Sequence, residues 1–172
     1  MVSNSQMLDD LLAEMKAEFP KFKVVDKEDS RLQRAIAWVV KPFSPKFMVD
    51  YATTIGTTVY MPKAWGAYTR YEVLRHERVH LRDHRKAPFG LFALSYLLLL
   101  PAGFTMRALW EYRAYVETMR VEYETFGTVF DSTINWLVDI FTGPGYFFMC
   151  PFKGYIRRKL EKTRADIIAG RV

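Results

Sequence analysis

Two histidines four residues apart, His76 and His80, enclose a glutamate in the run His76-Glu77-Arg78-Val79-His80, and this HExxH pattern constrains the fold more than any other feature of the chain. Residues at i and i+4 lie one above the other on a helix, so both imidazoles can point at one metal ion only if the run is helical. Glu77 then sits beside that ion. Its carboxylate is poorly placed as a further ligand but well placed to take a proton from an activated water, as in zinc-dependent hydrolysis. Thr69 and Glu72 form the Thr-x-x-Glu pattern of a capping box, and Ala87-Pro88 is a stop signal. The spacing therefore predicts a helix from about Thr69 to Lys86 with the motif in its middle.

A chain of 172 residues, half of them hydrophobic, is long enough to bury a substantial core and too apolar to be disordered. One domain is expected over 1–172, with a core at about 30–127 and a helical extension at 131–172. The single cysteine, Cys150, excludes a disulfide framework and a cysteine-based zinc site, and reads as a packed thiol. The opening residues lack the basic start of a signal peptide and run into Asp9-Asp10, so a cytoplasmic location is the expectation. Of the net charge of +6, most lies in 153–172, where seven Lys/Arg face only Glu161 and Asp166. That segment suits weak contact with an anionic surface or simply a solvated helix; no specific nucleic-acid partner is indicated.

Taken in order, Asn4 or Ser5 is expected to cap a helix carrying Leu8, Leu11, Leu12, Met15 and Phe19, closed by Pro20. Ser30-x-x-Gln33 opens a second helix with Leu32, Ile36, Val39 and Val40, ended by Lys41-Pro42. The β-prone runs Phe47–Tyr51 and Thr57–Met61 are expected to pair antiparallel across Ile55-Gly56, with Pro62 confining the end of the second, read as an edge strand, to an edge or exit. Ala87 to Met106 carries no charge and is long enough to cross a bilayer, but Pro88, Gly90, Pro101 and Gly103 interrupt it. A buried helix over Leu91–Leu100 is expected instead. Three more helices follow: from Thr105 to Gly127, from Asp131 or Ser132 to Gly143, and from about Gly154 to Ala169.

A catalytic zinc site needs a third protein ligand and an open position. The remaining histidine, His84, lies eight residues beyond His76, which is about 12 Å along a helix axis, too far to share the ion. A carboxylate from a later helix is the remaining option. At this point the chain resembles the gluzincin metallopeptidases, in which HExxH is followed some thirty residues later by Glu-x-x-Ala. Glu111-Tyr-Arg-Ala114 matches that second motif, and Thr53 to Pro62 leading into the motif helix is similar to the small zincins sometimes called minigluzincins.

The resemblance covers roughly Phe47 to Tyr123. It implies a mostly helical α+β, zincin-like domain with a short antiparallel sheet packed on the motif helix. It further implies a Zn2+ cofactor held by His76, His80 and Glu111, with Glu77 as general base acting on peptide or protein substrates. Glu117 is the alternative third ligand. The position after Ala114, often Asp in that family, is Tyr115 here, and Tyr115 and Arg113 are the candidate donors to a developing oxyanion. The strand Thr57–Met61 would hold an extended substrate. Two other readings are a non-catalytic zincin-fold binding or structural protein, and a membrane-associated protease using 87–104 and the basic C-terminus.

Overall fold

Local capping sets the first element. The Ser3 hydroxyl accepts from the Gln6 amide at 3.2 Å, one residue earlier than expected, and starts α1 (Asn4–Glu18). Leu11, Met15 and Phe19 recur on one face and are buried, and the helix ends at Phe19, ahead of Pro20. The computed structural model describes residues 3–42, 44–86, 101–144 and 148–172, with backbone alone for 101–105. It divides into two compact units, Met1–Leu81 and Arg82–Val172.

In the first unit, α1 leads to β1 (Lys23–Asp26), a strand absent from the sequence reading, and then to a single 3-10 turn at Lys27–Asp29. Ser30 caps α2 (Arg31–Val40) by accepting from the Gln33 amide at 3.2 Å, as the Ser-x-x-Gln pattern predicts. The first β-prone run is corrected: Phe47–Asp50 is a short helix, α3. Its turn is closed by the Asp50 amide bonding the Lys46 carbonyl at 2.9 Å. The buried Lys27 ammonium donates to the Phe47 carbonyl at 2.8 Å and lies 3.6 Å from that ring's centre. A lysine anchored this way outweighs the weak β preference of four residues.

The antiparallel hairpin is shorter and lies further on, as β2 (Thr53–Ile55) and β3 (Thr58–Met61), with Ile55 opposite Thr58. Gly56 makes the turn at φ 61°, a left-handed conformation that a side chain would strain. β1 adds to the other side of β3 in parallel, Val24 opposite Val59, so the sheet order is β1-β3-β2 and the sheet is mixed. This overturns the expectation of an edge at Thr57–Met61: β3 is central, its Val59 and Met61 are buried, and the free edges belong to β1 and β2.

The motif helix, α4, spans Ala67–Lys86. It begins two residues before Thr69, which therefore lies inside its first turn and is not the cap. Arg70 ties that turn to Asp26 of β1 at 2.6 Å. Near the middle, Arg78 reaches Glu14 at 2.7 Å and Glu18 at 2.8 Å, fastening α4 to α1.

The second unit is helical. α5 runs Pro101–Phe126, so Thr105 is an internal residue, and Pro101 occupies the first turn, where its missing N–H costs nothing. α6 (Asp131–Thr142) starts at the expected aspartate, but its own side chains do not cap it. Glu122 of α5 does so, accepting from the Phe130 amide at 3.3 Å and the Thr133 hydroxyl at 2.6 Å. α7 (Lys153–Ile168) closes with Gly170 at φ 66°. The three helices enclose Tyr115, Met119, Leu137, Val138, Phe141 and Leu160, with Met149 and half-buried Cys150 beside them. The molecule is thus mostly helical with one small sheet. Most of the uncharged stretch, 87–100, lies outside the described residues. Among the described residues, no helix is long and apolar enough to cross a membrane.

Candidate metal centre

The helical period does what the motif spacing requires. On α4 the Nε2 atoms of His76 and His80 lie 3.2 Å apart, with ring centroids 4.9 Å apart and planes at 73°. Two ligand atoms on one four-coordinate zinc, each about 2.1 Å from the ion, would lie about 3.4 Å apart. The two imidazoles therefore already hold close to a shared-ion spacing.

Glu111 of α5 completes the set. One ligand atom from each of His76, His80 and Glu111 lies within 4.8 Å of the others, a group able to hold a metal ion. Glu111 and His80 are buried. Two imidazoles and one carboxylate are a donor set suited to a divalent cation such as zinc, so the residues fit a metal by both spacing and chemistry.

Glu77 points elsewhere on the same turn. Its Oε2 accepts a hydrogen bond from the Thr54 hydroxyl at 2.7 Å, which links the carboxylate to edge strand β2. Thr54 was not singled out in the sequence. The period-two alternation of Thr53, Thr54 and Ile55 is the signal that separates its side chain from those of its neighbours.

The other candidates fall in distinct places. Glu117 pairs with Arg120 at 2.9 Å, one helical turn along, and Glu111 is the carboxylate gathered with the two histidines. His84 is exposed near the end of α4. Tyr115 lies in the apolar core, with its ring edge-on to Trp136 and Phe141 at 5.6 and 5.9 Å. Ala114 is fully buried, consistent with a position where only a small side chain fits. Arg113 is held by Asp83 at 3.0 Å and stacks over Trp110. Asp83, 1% exposed and three residues after His80, also escaped the sequence reading; a buried acid one turn beyond a motif histidine is the clue that was there.

Comparison with family models, with curated proteins and with solved structures finds no match.

Proposed function

We propose that the chain is a zinc-dependent metallopeptidase of gluzincin type on a zincin-like domain, cleaving peptide bonds in peptide or protein substrates. The observation that carries this is the gathering of His76, His80 and Glu111 with Glu77 on the same helical turn. A purely structural metal site has no use for that second carboxylate.

In this reading His76, His80 and Glu111 would hold a zinc ion. When bound, it would supply the Lewis acidity that activates a water and polarises a scissile carbonyl. Glu77 would act as the general base, taking a proton from an attacking water and passing it to the leaving amine. Thr54 holds one oxygen of Glu77 by hydrogen bond, so only the other would be free to take up a proton. Arg113, half exposed and anchored through Asp83, is the more accessible donor for the developing oxyanion, since the Tyr115 ring is packed in the core. An extended substrate would pair with an edge of the sheet, and β2 is the edge whose side chain touches Glu77.

The test is Glu77→Gln in a peptide-library cleavage assay with metal content measured in parallel. The amide keeps the shape and loses the base, so metal should stay and hydrolysis should fall by at least about a hundredfold. Undiminished cleavage removes Glu77 from the mechanism. A parent protein that binds zinc but cleaves nothing supports the non-catalytic reading instead.

A further inference from the structure

Helix α2 is turned the wrong way for a helix that has only water outside it. Its sequence is strongly amphipathic, and rolling it would bury Leu32 and Val39 while giving Gln33 to solvent. Instead Gln33 is fully buried, and neither polar atom of its amide has a hydrogen-bond partner. Leu32 is 50% exposed, Val39 64% and Trp38 80%. Burying an amide while presenting an indole and two aliphatic side chains to water is unfavourable on both faces.

The charges carried by α2 and its C-cap share one sign, although Glu28 and Asp29 precede the helix. α2 contains no Asp or Glu, and Arg31, Arg34 and Lys41 at its surface make no ion pair among the described residues. Arg34, Trp38 and Lys41 follow at i, i+4 and i+7, so the indole lies in a row between two cations, with Leu32 and Val39 in the adjoining row. A second copy of the chain would set these cations against one another. An acidic protein groove would match the charge, but the flat mixture of indole, aliphatic groups and long basic side chains is the composition of a helix lying in a bilayer interface.

We propose that α2 is an interfacial helix that docks the protein on an anionic phospholipid surface, with Trp38, Leu32 and Val39 entering the headgroup boundary and Arg31, Arg34 and Lys41 engaging lipid phosphates. The surface is independent of the metal site and of any activity there. Attraction by each basic residue near such a surface changes binding by about fivefold.

The test is co-sedimentation of the full chain with vesicles of phosphatidylcholine alone or mixed with phosphatidylglycerol, together with tryptophan emission. Binding should require phosphatidylglycerol, weaken with salt, and shift the emission to the blue in the parent but much less in Trp38→Phe. Arg31→Glu with Arg34→Glu should lower binding more than tenfold, and Leu32→Ser with Trp38→Ser and Val39→Ser should abolish it. These positions are exposed, and unchanged circular dichroism of each variant verifies the fold. Absence of binding to phosphatidylglycerol vesicles overturns the proposal. So does binding that survives both sets of substitutions, which would put the contact on another surface such as α7. A lipid-free dimer that Trp38→Ser disperses would make a second copy the occupant and overturns it as well.

Discussion

Arg78, inside the HExxH run, offers a stability test whose size follows from the geometry. Its Nε donates to Glu18 at 2.8 Å, where both side chains are 17% exposed, and its Nη1 reaches Glu14 at 2.7 Å, where the acid is 62% exposed. A charge-assisted bond in a partly buried setting contributes about 1.5–3 kcal/mol, whereas an exposed ion pair contributes about 0.5. Glu18 has a further interaction of its own, so removal of the arginine leaves it less exposed to penalty than a fully isolated buried carboxylate. Arg78→Met, which keeps the aliphatic stem, should therefore cost about 2–3 kcal/mol, Glu18→Gln about 1–2 and Glu14→Gln under about 0.5. Urea unfolding of the three variants measures this directly through the midpoint at unchanged slope, and the largest loss corresponds to a fall in Tm of about 5–10 °C. A loss below about 1 kcal/mol for Arg78→Met, or a larger effect at Glu14 than at Glu18, would refute the idea that the buried limb of this fork fastens α4 to α1.

Three further outcomes follow from the packing. Leu160→Ala opens a cavity in the fully buried core of the second unit and should cost about 2–5 kcal/mol by denaturant unfolding; a loss under about 1 kcal/mol would mean that the site collapses freely. Glu122→Gln weakens the cap on α6 and should cost about 1 kcal/mol, with loss of amide-exchange protection confined to the first turn of that helix. Burial lowers the pKa of Lys27 from 10.5 to about 8, although nearby Glu28 opposes the shift. Between those values the unfolded chain holds a proton that the folded one has lost, so stability rises with pH from about 8 to 10.5 and the penalty is complete below 8. The stability of Lys27→Met relative to the parent should therefore fall as pH rises across that window, whatever the loss of the contact to Phe47 costs; a difference independent of pH would contradict the assignment.

Where a local hydrogen bond decides the structure, the sequence was a sound guide. Ser30-x-x-Gln33 caps α2 as its spacing requires, Pro20 and Gly127 lie just past helix ends, and the His76–His80 spacing lands mid-helix. Where a distant partner decides, it was not. Phe47–Asp50 reads as a strand by composition and is a helix anchored by Lys27, twenty residues away. β1 carries only four residues, too few to show a period, and its presence moves β3 from edge to centre. Glu122 caps a helix that begins nine residues later, which no local pattern announces. At the site, His76, Glu77 and His80 were legible because one helix sets their spacing. Glu111 came from a resemblance to a second motif, while Thr54 and Asp83 depend on neighbours remote in sequence.

The central claim is that His76, His80 and Glu111 form one metal site. Elemental analysis of the purified chain after equilibration with zinc and removal of excess tests it most directly, with each ligand replaced in turn. One zinc per chain is expected for the parent, for Glu77→Gln and for Glu117→Gln, and stoichiometric zinc should be lost in His76→Ala, His80→Ala and Glu111→Gln. A His76→Ala protein that still retains one zinc with the parent's affinity would contradict the account.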